Sequence, residues 1–153
     1  MAKPDFPALL APGVHATTLP ALQALAVAPF PLDAQRQNLY LKLTTWMTAL
    51  QAIGVGGILW IDGSFLTEKP GPGDIDCVLW NPGWADPANA TAANQQQVQH
   101  LLDHATAQAL YGLDLYIEAP APNMAVHREA YWRGFLGFCH DRLTAKGFAE
   151  LPL

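Results

Sequence analysis

Three aspartates are the residues whose type and spacing could do chemistry. Asp74 and Asp76 stand two positions apart at the start of an apolar run, and Asp114 stands between two leucines further along the chain. Side chains alternate along a strand, so Asp74 and Asp76 should share one face while Ile75 points into the core. Mg²⁺ prefers carboxylate oxygens and is often held together with substrate phosphates. The spacing therefore predicts a site for Mg²⁺ or Mn²⁺, and a third carboxylate from Asp114 would allow two ions to lie side by side.

A Gly-Ser pair shortly before these acids is suited to a phosphate. Gly63 lets the backbone come close to an anion, and the hydroxyl and amide of Ser64 can donate hydrogen bonds to it. Lys69 lies between the two motifs and could contact a phosphate as a point charge, although a lysine beside a proline in a loop is often only solvated. Lys146 belongs to a group of basic residues near the C-terminus that forms either a phosphate-facing patch or an exposed helix face. The predicted nucleotide-binding residues are Gly63, Ser64, Lys69 and Lys146.

Each acid also has a structural interpretation. Asp74 follows a glycine and could be an ordinary turn residue. Asp76 and Asp114 are harder to explain, because a carboxylate in an apolar strand needs a partner and no basic residue is adjacent in sequence. This favours a metal site at Asp74, Asp76 and Asp114. His100 and His104 have the i, i+4 spacing of a zinc pair, but no third ligand follows and solvated histidines are the expectation.

The elements that must position these residues follow from the hydrophobic pattern. The pattern predicts an α/β (α+β) fold in which a mixed sheet has flanking helices. Residues 1–32 form a proline-rich segment expected to pack on a single domain spanning 33–153. The predicted helices cover 21–27, 34–53 with Asp33 as N-cap, 92–110 and 126–139, and the predicted strands cover 58–61, 75–80, 113–118 and a short stretch near 146–148.

Composition limits the class of function. The chain has 153 residues and a formal net charge of -5, with 51% hydrophobic and 14% charged residues. Generic nucleic-acid binding is disfavoured, because proteins that mainly grip phosphate backbones are usually basic. No stretch reads as a membrane span or a signal peptide, so the expectation is a cytoplasmic protein that does not associate with membranes. Cys77 and Cys139 are both expected to be buried thiols rather than a disulfide or a zinc site.

The stretch from Trp60 to Asp76, with Gly63-Ser64 followed by Asp74-Ile75-Asp76, resembles the signature of the polymerase-beta-type nucleotidyltransferase superfamily. The longer string is similar to a family of small uncharacterised bacterial proteins within it, as are Arg36, the aromatic segment 131–135 and Lys146-Gly147. The resemblance implies a nucleotidyltransferase-type sheet and transfer of a nucleoside monophosphate from an NTP, with ATP foremost, to a protein, RNA or small-molecule acceptor. It also implies that Asp74 and Asp76 bind both metals and that Asp114 completes the catalytic ion site.

Two alternatives remain open on the sequence. The chain offers no substantial second domain for an acceptor, which favours a non-catalytic nucleotide- or protein-binding member of the same fold, such as a toxin–antitoxin or defence-system component. An unrelated α/β protein with a coincidental motif is the other alternative. That alternative predicts that Asp74, Asp76 and Asp114 do not converge in space.

Overall fold

A five-stranded mixed β-sheet forms the centre of the molecule, described over residues 3–153 by a computed structural model. The strands are β1 (Gly13–Ala16), β2 (Val55–Asp62), β3 (Ile75–Trp84), β4 (Leu113–Glu118) and β5 (Gly147–Pro152). Their order across the sheet is β1-β5-β2-β3-β4. The central strand β2 runs antiparallel to both β3 and β5, whereas β1 is parallel to β5 and β4 is parallel to β3.

Five helices cover the sheet, and the mixed α/β prediction is confirmed at this level. They are α1 (Leu19–Ala26), α2 (Ala34–Ala52), α3 (Ala92–Leu102), α4 (His104–Tyr111) and α5 (Ala125–Leu136), with short 3-10 turns at Ser64–Leu66 and Pro87–Asn89. The long helix α2 begins where the sequence predicted, because the Asp33 side chain accepts a hydrogen bond from the Arg36 amide at 3.1 Å. No helix among residues 3–153 is long and apolar enough to cross a membrane.

One face of the sheet packs against α1 to α4. The predicted apolar stripe of α2 is buried there, with Leu43, Trp46 and Leu50 all fully inaccessible. From the sheet this core receives every second residue, including Leu59, Ile61, Ile75, Cys77, Leu79, Leu113 and Leu115. Because burial alternates with period two, the residues between them point to the opposite face.

The opposite face carries a smaller core and is covered by α5. It consists of Trp60, Val78, Trp80, Trp132, Leu136 and Phe148. Since Val78 and Trp60 share this face, Asp76 and Asp62 two positions away lie on it as well. The acids therefore stand beside an apolar core at one end of the sheet.

Three parts of the fold differ from the sequence prediction. The helix predicted over 92–110 is broken at Asp103, whose extended backbone ends α3 and whose side chain caps α4 by accepting from the Thr106 amide at 2.9 Å. The proline-rich segment contributes the edge strand β1, which the proline content obscured. Strand β3 continues past Pro82, which has no N–H to donate, and the register with β2 shifts there, because two residues of β3, Asn81 and Pro82, lie opposite the single residue between Gly56 and Ile58.

Candidate functional site

Aspartates from three adjacent strands stand side by side at one end of the sheet. Asp62 at the end of β2 pairs directly with Asp76 in β3, and Asp76 pairs in turn with Asp114 in β4. Asp74 precedes β3 by one residue and lies close enough to raise the pKa of Asp76. We call Asp62, Asp74, Asp76 and Asp114 the acidic row. The three predicted acids therefore converge, and Asp62 joins them.

Asp62 is the member of the row that sequence reasoning missed. Its side chain is buried, and its Oδ2 lies 2.7 Å from Nζ of Lys146, which is itself largely buried. Burial raises the pKa of Asp62 to about 6, although Lys146 acts in the opposite direction. The other oxygen, Oδ1, is buried without a hydrogen-bond partner. A carboxylate directly before a Gly-Ser turn was the available signal, but its partner Lys146, directly before β5, could not be inferred from local sequence.

Asp76 occupies the centre of the row. Burial is the largest cause that raises its pKa to about 6, followed by repulsion from Asp74 and Asp114. Lys146 lowers the pKa of Asp76 only partly. The centre of the row is therefore a concentration of negative charge that one lysine does not balance.

The Gly63-Ser64 turn is packed against Asp76. Gly63 has φ of +81°, and a Cβ added there would lie 1.8 Å from Oδ2 of Asp76. The turn then enters the 3-10 segment Ser64–Leu66, where the carbonyl of Ser64 accepts from the Thr67 hydroxyl at 2.8 Å. Glycine is needed here both for the backbone conformation and for the close approach to the acid.

Helix α4 adds two polar side chains to the rim of the row. Gln108 Nε2 lies 3.4 Å from Oδ2 of Asp74. His104 Nε2 lies 3.6 Å from Oδ1 of Asp114, while its Nδ1 lies 2.8 Å from the carbonyl oxygen of Leu115. His100 belongs to α3, so the break at Asp103 separates the two histidines whose spacing had suggested a pair.

The two predicted phosphate-binding lysines have different surroundings. Lys146 is held by Asp62 beside the acidic row, where it supplies positive charge at the β5 side of the site. Lys69 lies on the loop between Gly63 and Asp74, and its carbonyl accepts a hydrogen bond from the Arg36 side chain at 2.7 Å. Lys146 is therefore in contact with the row, and Lys69 is placed on the loop that borders it.

The acidic row consists of oxygen donors of the kind that a hard cation binds. As the side chains stand, no group of three or more His, Cys, Asp or Glu within residues 3–153 is arranged to hold a metal ion. The donors of Asp74, Asp76 and Asp114 themselves fit, because they are carboxylates that lie close enough together for Asp74 and Asp114 to raise the pKa of Asp76. A divalent cation would also relieve the repulsion that raises the pKa of Asp76. Side-chain rotation would be needed to bring the oxygens around one ion.

A shallow cleft of about 540 Å³ opens elsewhere on the surface. Its lining includes Phe30, Leu32, Asp33, Glu68 and Gly71. None of the acidic row lines this cleft, so we place the candidate site on the chemistry of the carboxylates and not on the cleft.

Comparison with known proteins identifies a family but no characterised relative. No curated protein and no solved structure matches the chain. The family model described as a family of unknown function, DUF6932, matches residues 4–152. Because this match spans nearly the whole sequence, the chain belongs to the DUF6932 family.

Proposed function

We propose that this protein is a Mg²⁺-dependent nucleotidyltransferase that moves a nucleoside monophosphate from an NTP to an acceptor hydroxyl. The observation that supports this most is the in-register alignment of Asp62, Asp76 and Asp114 on three neighbouring strands. The Gly63-Ser64 turn lies directly against the central acid of that row. Phosphoryl-group chemistry with a divalent ion requires two parts: a turn that can bind phosphate, and a set of carboxylates in contact with that turn.

The proposal extends to the fold, which we assign to the nucleotidyltransferase type. The support is the arrangement of the three central strands. The strand before Gly63 is antiparallel to the strand that begins after Asp74, and the strand carrying Asp114 is parallel to it on the far side. This topology brings acids from separate parts of the sequence to one edge of the sheet.

In this proposal Asp74, Asp76 and Asp114 would hold Mg²⁺ or Mn²⁺. When bound, the cation would neutralise phosphate charge and favour an in-line displacement at the α-phosphorus. Gly63 leaves room for the triphosphate, Ser64 can donate hydrogen bonds to it, and Lys69 and Lys146 supply positive charge nearby. Asp114 lies on the outer strand of the row with 28% of its side chain exposed, where an acceptor hydroxyl could reach it.

The chemical change is a simple exchange of phosphorus–oxygen bonds. The acceptor oxygen forms a bond to the α-phosphorus while the bond to the bridging oxygen of the leaving group breaks, so pyrophosphate departs with that electron pair. In this proposal Asp114 would receive the hydroxyl proton. The acceptor class is protein, RNA or a small molecule, and ATP is the first NTP to test.

The test uses α-labelled NTPs, Mg²⁺ or Mn²⁺ and cell extract as the source of acceptor. We expect wild-type protein to transfer label, and Asp76→Asn to reduce transfer by about a thousandfold or more because the central carboxylate is lost. Asp86→Asn is the matched control, since Asp86 is exposed beyond the opposite end of β3. Equal labelling by wild type and Asp76→Asn would contradict the proposal.

A second candidate function is binding without catalysis. The observation that favours it is the outer face of α5, where Tyr131 and Phe135 are 53% and 62% exposed and stack on one another. Exposed aromatic pairs of this kind are common in protein-binding surfaces. A toxin–antitoxin or defence-system component would fit this feature. Calorimetry with ATP and Mg²⁺ distinguishes the two candidates, because heat of binding without any transfer would support the non-catalytic role.

A further inference from the structure

Arg36 is a fully buried arginine that binds backbone carbonyls. Its guanidinium donates to the carbonyl of Ala26 at the end of α1 at 3.1 Å, to Phe65 at 2.7 Å and to Lys69 at 2.7 Å, and it also donates to Thr67. Its Nε lies 3.4 Å from Oδ2 of Asp33. An arginine is almost never fully buried unless its charge is compensated. Here carbonyl dipoles and one carboxylate supply that compensation.

The segment that Arg36 holds connects the two halves of the proposed site. We call residues 64–73 the motif loop, since it runs from Ser64 to the residue before Asp74. The carbonyls of Phe65, Thr67 and Lys69 all belong to this loop, and all three accept hydrogen bonds from the one planar guanidinium. Asp33 holds the end of the same edge by accepting from the Gly71 amide at 2.8 Å.

The other edge of the motif loop is held by the N-terminal segment. The Leu9 amide donates to the Leu66 carbonyl at 2.9 Å, and the Glu68 amide donates to the Pro7 carbonyl at 2.9 Å. The loop therefore has partners along both edges although it belongs to no strand of the sheet. Removal of the Arg36 side chain would leave the three loop carbonyls that it binds without these donors.

The chemistry of the side chain explains why arginine stands here. A guanidinium presents several donors in a fixed plane, whereas a lysine ammonium is a compact point charge that cannot reach separated carbonyls at once. Replacement by lysine would keep the charge and lose most of the geometry. This difference separates a positioning role from a purely electrostatic one.

We infer that Arg36, supported by Asp33, is a positioning residue that fixes the motif loop and thereby sets the distance between the Gly63-Ser64 turn and Asp74. The inference rests on the proposed function for the identity of the site that the loop serves. The placement of the loop itself can be measured without any activity. The Arg36 side chain donates its hydrogen bonds to backbone carbonyls outside the acidic row, so it acts through the loop backbone.

The experiment compares wild type with Arg36→Ala, Arg36→Lys and the control Lys42→Met, which removes a charge from the same helix. Amide hydrogen exchange is followed in residues 64–71, and Mn²⁺ affinity is measured by titration with the metal alone. We expect Arg36→Ala to lose about tenfold or more in both loop protection and Mn²⁺ affinity. Arg36→Lys should lose nearly as much, while Lys42→Met should match wild type.

Rescue by free guanidinium distinguishes a positioning role from a general loss of stability, because a general loss of stability would not be reversed by it. Phe30 and Asp33, which line the cleft, both contact the Arg36 side chain: the guanidinium stacks over the Phe30 ring at 4.1 Å, and Nε lies 3.4 Å from Oδ2 of Asp33. Removal of the side chain would therefore leave a space next to the wall of this cleft, where free guanidinium could bind. About 10 mM guanidinium chloride, too little to unfold a small domain, should restore loop protection in Arg36→Ala but leave Arg36→Lys unchanged.

The possible outcomes separate a failure of this inference from a failure of the proposed function. Loss of loop protection with unchanged Mn²⁺ affinity would overturn it, and so would equal loss of protection throughout the sheet with no guanidinium rescue. If wild type binds no Mn²⁺ and transfers no label, the proposed function fails, and loop protection with its rescue still tests the placement. If Arg36→Ala does not fold, Arg36→Lys carries the same comparison, and its wild-type behaviour in both measurements would contradict a positioning role.

Discussion

The backbone of Gly63 passes so close to the side chain of Asp76 that a Cβ at position 63 would lie 1.8 Å from Oδ2 of the acid. Gly63 also has φ of +81°, in the region that other residues rarely adopt. One close contact thus links the central carboxylate to the Gly63-Ser64 turn, which borders the proposed phosphate position.

Gly63→Ala tests this contact directly. We expect a loss of about 1–3 kcal/mol in the free energy of unfolding from backbone strain. Mn²⁺ affinity should fall as well, because Asp76 must move aside. Gly73→Ala is the matched control, since a Cβ there meets nothing within 4 Å and its φ lies outside the positive region. Urea denaturation and Mn²⁺ titration measure the two effects, and wild-type values for Gly63→Ala in both would contradict the prediction.

Lys146→Met should destabilise the protein by leaving Asp62 buried without its partner. Removal of one member of a buried ion pair typically costs about 3–5 kcal/mol. The double variant Asp62→Asn/Lys146→Met should recover a large part of that loss, because the uncompensated charge is gone. Urea denaturation of the two single variants and the double variant provides the cycle. Strictly additive losses would show that the 2.7 Å contact contributes no coupling.

The raised pKa of Asp76 predicts how stability depends on pH. Its folded-state pKa of about 6 lies above the ordinary value of 3.8, so the folded protein binds the proton more tightly than the unfolded chain does. The contribution of Asp76 to stability is therefore favourable below its unfolded pKa and declines as the pH rises through 6. Asp76→Asn should be more stable than wild type at neutral pH, by about 3 kcal/mol at most.

The measurement is urea denaturation of wild type and Asp76→Asn across the range from about pH 4 to pH 8. The stability difference should grow in favour of Asp76→Asn as the pH rises and level off above the folded-state pKa. Asp86→Asn should track wild type, because this exposed residue lies away from the row. A difference that does not change with pH would contradict the electrostatic origin.

Gly147→Ala should loosen the attachment of the N-terminal segment. A Cβ at position 147 would lie 2.0 Å from the carbonyl oxygen of Ala11, so the segment must shift away from β5. We expect a loss of about 1–3 kcal/mol and faster amide exchange near Leu10. Gly134→Ala is the contrasting control, because it sits in α5 with open space around it and should stabilise by about 0.5–1 kcal/mol. Scanning calorimetry of both variants checks the signs.

Local signals in the sequence predicted several elements closely. Helix α2 was bounded by its cap at Asp33 and the glycines after it, and β4 was predicted with the limits the structure shows. The break at Asp103 was not predicted, because an aspartate within a helical pattern does not show which neighbouring amide its side chain will cap. Strand β1 was not predicted, because it is short and lies in a proline-rich segment.

The candidate site could be predicted only where its parts are close in sequence. Asp74 and Asp76 were identified as site residues from their spacing, and Asp114 was identified from its place between two leucines. The partnership of Asp62 with Lys146, and that of Arg36 with the motif loop, depend on segments far apart in the chain. Such contacts follow from strand order and helix placement, which the periodicity of a single sequence does not specify.

Strand β5 lies between β1 and β2, although it is the last of the five strands to be synthesised. Before it emerges from the ribosome, β1 has no neighbour in the sheet and one edge of β2 stays open, with Asp62 lacking its lysine. A nascent chain at that stage would expose unpaired strand edges, the usual targets of chaperones and of misassembly. One short segment of the chain, Lys146 with β5, thus both completes the sheet and supplies the positive charge beside the buried acid.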